Sequence, residues 1–210
     1  VTRRLRRIPG YAFLTIAAIV SVFPLYFMVV SATNSSQDVL GSRMLPGSSL
    51  IANFTALVGS QDVASAMWYS TVNAVATTVL ALIVCSIAGY GFEVFHSLGK
   101  DRLMSVLLLA MMIPFAATMI PLFQMFANMK LVNSTIAVIL PAIATPFLVL
   151  LFRQASRSFP HEIIEAARID GLSEVSIFAR IFLPTMRSTY AAAAVITFMT
   201  AWNNFLWPKV

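Results

Sequence analysis

Charge is what this chain has least of. Only 10% of its 210 residues are Asp, Glu, Lys or Arg, against 59% that are apolar; soluble domains carry about 25% charged residues. A soluble core of this size could not hide so much apolar surface, so the composition excludes an ordinary water-soluble domain and implies a multi-span membrane protein. Cysteine is nearly absent too. Cys85 stands alone inside an apolar run, so no disulfide or thiolate metal site can be built within the chain, and the residue reads as small apolar packing. A metal motif is also missing. His161-Glu162-Ile163-Ile164-Glu165 has the outline of a zinc-protease helix, but Glu165 occupies the place of the second histidine, so no metal site is expected. There is no phosphate-cradling loop. Gly99-Lys100 is followed by Asp101 and lacks the preceding glycine, so any ATP chemistry belongs to another chain. The formal charge of +6 would suit nucleic acid, but the basic residues lie between hydrophobic runs. Membrane topology accounts for them better, and no nucleic-acid partner is expected.

What is present is apolar length. A spanning helix needs about 20 largely apolar residues, and five segments qualify: 11–32, 68–92, 103–127, 135–152 and 190–207. The first is too long for a signal-peptide core and is read as a span. Pro24, Pro114, Pro121, Pro141 and Pro146 fall inside or near the spans. Such breaks are tolerated where neighbouring helices or a water-lined path satisfy the freed carbonyls, which favours a packed bundle or pore. Orientation follows from Lys and Arg. Arg3, Arg4, Arg6 and Arg7 precede the first span, Lys100 and Arg102 follow the second, and Arg153, Arg157, Arg168, Arg180 and Arg187 follow the fourth. The other side has Arg43, Lys130 and Lys209. The N-terminus and residues 153–189 are therefore expected in the cytoplasm, and residues 33–67 outside it. The expected organisation is one all-α membrane domain over 1–210.

Residues 153–189 predict two short amphipathic helices. Ser158 is placed to cap the first, with Pro160 in its first turn, and Gly171 suits its C-terminal stop. Ser173 is placed to cap the second, Glu174 lies in its first turn, and Val175, Phe178 and Phe182 share a face at helical spacing. Pro184 is expected to end it. Asp170 either caps the turn or pairs with a basic residue of a partner.

This segment carries a pattern: Glu165-Ala166-Ala167, three residues, Gly171, nine residues, then Ile181, Leu183 and Pro184. It resembles the cytoplasmic EAA loop of ABC-importer permeases. Further stretches resemble the carbohydrate-uptake, MalG-like branch of that family: Met112-Ile113-Pro114, Ile120-Pro121-Leu122-Phe123, Leu131-Val132-Asn133-Ser134-Thr135, Asn73 with the alanine-rich run after it, and Trp202-Asn203-Asn204-Phe205-Leu206-Trp207-Pro208. The resemblance covers most of the chain from about Asn53. Two departures stand out. Asn204 replaces the common Glu of the last signature, and the family's sixth span after it is not in this sequence, as in a fragment or a truncated product.

The resemblance implies a permease subunit of an ATP-driven, binding-protein-dependent sugar importer in a bacterial or archaeal cytoplasmic membrane. It implies a second permease subunit, ABC ATPase subunits that hold ATP and magnesium, and an extracytoplasmic solute-binding protein. The ATPase would dock on Glu165, Ala166, Ala167, Asp170, Gly171, Ile181, Leu183 and Pro184. Trp202, Asn203 and Asn204 are candidates for the substrate path, since amides bond sugar hydroxyls and aromatic faces stack on sugar C–H surfaces. The same residues equally suit an interface belt or a bond between helices. A secondary carrier or channel is the competing class; it predicts ionisable residues at mid-membrane and inverted repeats, and neither is visible. An intramembrane enzyme would need a nucleophile–base pair or metal cluster within the spans. Amino acids, peptides and oxyanions are the alternative cargoes.

Overall fold

The computed structural model describes residues 8–204 and Trp207. Arg3, Arg4, Arg6 and Arg7, and at the other end Phe205, Leu206, Pro208 and Lys209, lie outside the described residues. All regular structure among the described residues is helical, as the composition predicts. Two compact units, Val1–Ala66 and Met67–Val210, are taken in turn.

The first unit holds α1 (Ile8–Thr33), α2 (Ser36–Leu40) and α3 (Leu50–Ser60). α1 is apolar all round, and its large side chains are bare, with Phe13 71% exposed. A helix apolar on every face needs lipid or protein around it. Its C-terminal carbonyls are not left open. The Asn53 amide of α3 donates to Ala32 O at 2.9 Å and to Asn34 O at 2.8 Å. Asn34 is buried and donates to Leu45 O at 3.0 Å. The apolar α3 is thus pinned to the end of α1 by one amide.

The second unit is built on α4 (Val63–Val94), which opens at the boundary. It continues with α5 (Leu98–Ala110), α6 (Phe115–Asn128), α7 (Thr135–Ile139), a 3₁₀ turn (Leu140–Ala142) and α8 (Pro146–Arg157). Then come α9 (His161–Ile169), α10 (Glu174–Ile177), a π-turn (Phe178–Phe182), α11 (Leu183–Thr185) and α12 (Arg187–Trp202). The buried face of α4 is mostly small or polar. Ala74, Thr77, Thr78, Ala81, Cys85, Ser86 and Gly89 are buried along α4, while Val79, Ile83 and Ile87 are exposed. Small faces let helices approach closely without a hydrophobic driving force. Gly89 marks the tightest point: a Cβ there would lie 2.6 Å from Phe152 Cβ and 2.7 Å from Arg153 N.

The expected spans differ in their straightness. α1 and α4 are long and apolar enough to cross a membrane unbroken. The third expected span is α5 and α6, bent by 102°, and the fourth is α7 with its 3₁₀ turn and α8, bent by 44°. Pro114 lies at the first break, where its ring disfavours a helical Ile113. Pro146 opens α8 after the second. The carbonyls freed at residues 143–145 meet Cys85, whose Sγ is 3.4 Å from Ile143 O and 3.8 Å from Thr145 O. The lone cysteine is therefore buried packing, as expected, and its thiol also faces the break. Of the fifth span, residues up to Trp202 are in α12.

Candidate functional site

Two features stand out in the second unit, a helix pair with a bare tip and a cavity. The helix pair is α9 and α10. Between them Gly171 adopts φ +81°, the left-handed conformation that larger residues avoid. Nothing lies within 4 Å of the position a Cβ would take. Ser173 caps α10, accepting from Ser176 N at 3.3 Å, as its position predicts. Arg168 Nε donates to Glu174 Oε1 at 2.6 Å across the turn. That bond pushes the Arg168 guanidinium above its ordinary value.

Three local expectations need correction. Ser158 does not cap α9. It ends α8, donating to Ala155 O, and Pro160 stands at the N-cap without a side-chain bond. Val175 is not on the apolar face. It is 77% exposed, and Ile177 is buried with Phe178 and Phe182 instead. The cause is the π-turn: a turn of about five residues brings Ile177 into line with Phe182. Pro184 does not end the helix either. Leu183 N–H bonds Phe178 O across the widened turn, and Pro184 sits in the first turn of α11, where its missing N–H costs nothing. Met186 N bonds Phe182 O and Tyr190 N bonds Met186 O, each at 3.0 Å. A nearly continuous helical run thus leads from Glu174 to Trp202.

The base of the pair is buried. Tyr90, Phe159, Ile164, Ala167, Ile177 and Phe182 form one cluster, with the Tyr90 ring 4.9 Å from Phe182 and 5.2 Å from Phe178. Of the predicted docking residues, Ala167 belongs to this core and Ile181 packs against it. Glu165, Ala166, Asp170, Gly171, Leu183 and Pro184 are exposed. Beside them stand bare apolar side chains, Ile169 at 87% and Val175. Neither was singled out as a docking residue, although two apolar residues flanking an exposed glycine turn are a visible signal.

An ionic cluster braces the same end of the unit. Arg153, 17% exposed, donates to Glu93 Oε2 at 3.1 Å and to Asp101 Oδ1 at 2.6 Å, and His96 Nε2 lies 2.8 Å from Asp101 Oδ2. In the sequence Arg153 marks topology only, because Glu93 and Asp101 lie 60 and 52 residues before it.

The cavity lies among α4, the break before α8, and α12. It measures about 240 Å³, and its polar lining is Asn73, Thr77, Thr145, Thr197, Thr200 and Asn204. A second cavity of about 400 Å³ shares Asn73 and Val138 with the first and adds aromatic side chains, among them Tyr69, Phe123 and Trp207. No charged residue lines either one. The three path candidates separate here. Asn204 lines the first cavity and accepts from Trp207 N at 3.4 Å. Asn203 is exposed and bonds back to Met199 O at 2.8 Å. Trp202 stacks on Phe198 with ring centres 5.7 Å apart. Among the described residues no His, Cys, Asp or Glu cluster could hold a metal ion.

Comparison with known proteins agrees with this layout. Residues 81–210 match the family model described as binding-protein-dependent transport system inner membrane component. The chain is 46% identical to the lactose transport system permease protein LacG of Rhizobium radiobacter over 208 residues, covering 99% of this chain and 76% of that protein. It is 33% identical to the sn-glycerol-3-phosphate transport system permease protein UgpE of Salmonella typhi, covering 98% and 76%. In fold it is similar to a bacterial ABC transporter involved in the import of the acidic polysaccharide alginate, with a TM-score of 0.86 and 20% identity over 98% of this chain and 74% of that one.

Proposed function

This chain belongs to the family of binding-protein-dependent transport system inner membrane components, and on that footing we propose that it forms half of the pore of an ATP-driven sugar importer. A separate ATPase docks on residues 153–189, and a second permease subunit supplies the other half. An extracytoplasmic solute-binding protein delivers the sugar. ATP and magnesium belong to the ATPase subunits.

One observation carries this reading. The helical run from Glu174 to Trp202 begins beside the exposed Gly171 turn and ends in the cavity wall, where it contributes Thr197 and Thr200. A partner seated on the turn is therefore mechanically joined to the cavity. The bare Ile169 and Val175 suit an apolar groove on that partner, and Glu165 and Asp170 suit its rim. The buried aromatic base keeps the pair from folding away when it is pushed. ATP-driven closure of the ATPase then displaces the pair as a rigid piece and shifts α12 against α4.

The uncharged cavities favour a neutral sugar over a phosphate ester or a uronate, since a buried anion needs a paired charge. The Lys and Arg distribution supports a cytoplasmic N-terminus and a cytoplasmic 153–189, in a bacterial or archaeal cytoplasmic membrane.

The test is co-purification with candidate ABC ATPase subunits, comparing wild type with a Glu165→Lys, Gly171→Val double variant. The expected result is capture by wild type and loss in the variant. Equal capture by both forms would place the ATPase contact elsewhere.

A further inference from the structure

We propose that Asn73 is a sugar-contacting residue at the junction of the two cavities, which together form one site for a neutral polyhydroxyl solute. This rests on the sugar-importer reading and adds to it a site, a residue and a reason for selectivity. Asn73 lies on α4 and lines both cavities. Its Oδ1 is buried and has no hydrogen-bond partner among the described residues. A buried carbonyl left unpaired is costly, so the Asn73 side chain calls for a donor that reaches it from the cavities it lines.

The rest of the lining says what kind of donor. Thr197 Oγ1 gives its proton to Ala193 O at 2.7 Å, and Thr200 Oγ1 gives its proton to Ile196 O at 2.8 Å. Both hydroxyls therefore face outward from their helix only as acceptors. With Asn73 Oδ1 they supply acceptors, while the Asn73 and Asn204 amide NH2 groups and the Thr77 and Thr145 hydroxyls supply neutral donors. A sugar hydroxyl, which both donates and accepts, suits such a wall. A phosphate or carboxylate oxygen can use only the donors, and no Lys or Arg lines either cavity to offset its charge. The second cavity supplies what the first lacks. Tyr69, Phe123 and Trp207 offer ring faces for the C–H surface of a sugar. At about 240 Å³ and 400 Å³, the joined cavities fall in the usual range for small-molecule sites, about 300–1,000 Å³.

Thiol protection in the reconstituted complete importer tests this. Cys85 is fully buried, so in a Thr200→Cys variant the introduced thiol is the accessible one of this chain, and its labelling by a water-soluble maleimide is read on this chain's own band. The probes are lactose and, as the charged comparison, sn-glycerol 3-phosphate. Lactose is expected to slow labelling and sn-glycerol 3-phosphate to leave it unchanged. Adding Asn73→Leu is expected to weaken lactose protection roughly three- to tenfold, the range for one neutral hydrogen bond. Should that variant fail to assemble, Asn73→Ser, which removes the amide and keeps the packing small, is read in the same way. Undiminished lactose protection in the Asn73 variants, or equal protection by both probes, overturns the proposal. Uptake by the wild-type and Asn73→Leu importers, neither carrying the added cysteine, separates the two readings. Lactose uptake that survives Asn73→Leu unchanged sinks the Asn73 site alone, whereas transport of sn-glycerol 3-phosphate and not lactose sinks the sugar reading with it.

Discussion

Arg153 on α8 and Glu93 at the end of α4 form an ion pair at 3.1 Å with only 13% of the Glu93 side chain exposed. The pair stands one residue from the Gly89–Phe152 crossing on the α8 side. It fastens together the ends of the two helices that meet at the crossing. Removing the arginine leaves a mostly buried carboxylate unpaired. Arg153→Ala is expected to destabilise the purified complex by about 3 kcal/mol, the low end for a broken buried pair, because Asp101 is more open to water. An Arg153→Met, Glu93→Gln double variant is expected to recover most of that. Thermal unfolding in detergent or nanodiscs checks both, and a double variant no better than the single would mean the pair is not the cause.

Gly171 separates conformation from crowding. Its φ is +81° and no atom crowds its Cβ position, so a substitution is penalised for its backbone and not for its bulk. Asn and Asp visit this region more readily than other residues, and β-branched residues least. Gly171→Asn is therefore expected to keep ATPase capture near wild type, and Gly171→Val to lose it, with about 1–2 kcal/mol of strain in the turn. Loss of capture in both would point to direct contact with the glycine and not to its backbone.

Much of this pair was legible in the sequence, and the errors have one origin. Glu165, Gly171 and Ser173 fall where turn chemistry puts them, because each depends on its nearest neighbours. Val175 and Pro184 were misplaced because a period of 3.6 was carried through a π-turn, which no local residue announces. The cavity was hardly legible at all. Asn204 was noticed beside its aromatic neighbours, but Asn73, Thr197 and Thr200 come from helices far apart in the sequence, and only packing brings them together. The 102° bend between α5 and α6 was foreshadowed by Pro114, though its size depends on what the two halves pack against.

At Gly89 the added methylenes of a larger residue have nowhere to go. Gly89→Ala must move Phe152 Cβ or the backbone of Arg153, at about 1–3 kcal/mol for overpacking. Gly89→Leu is expected to abolish assembly with partner subunits, while Gly91→Leu, with open space around it, assembles. Size-exclusion profiles of the co-expressed complex distinguish the two.

Outside the spans, Asp38 predicts a pH response. A hydrogen bond from the Ser35 hydroxyl, and after it the Arg43 guanidinium, hold the Asp38 carboxyl below its ordinary value. A lowered carboxylate stabilises the fold above the unfolded value of about 3.9 and loses that contribution as pH falls through the folded one. Hydrogen exchange over residues 35–43 is expected to be unchanged between pH 7 and 5, and to quicken relative to the intrinsic rate only below about pH 4. In Asp38→Asn that acid step is expected to vanish.

The π-turn at Phe178–Phe182 also sets an angle. Each residue of an α-helix advances the side chains by about 100°, and the widened turn spends one residue without advancing the helix by that amount. Winding these same residues as an ordinary helix would swing every downstream side chain by up to about 100° around the axis while residues 165–171 stayed in place. Thr197 and Thr200 would then face away from Asn73. The proposed docking surface and the cavity wall are thus set to a common azimuth by the width of one turn, and a chain that wound the same residues more tightly could keep both surfaces intact and still point its stroke in the wrong direction.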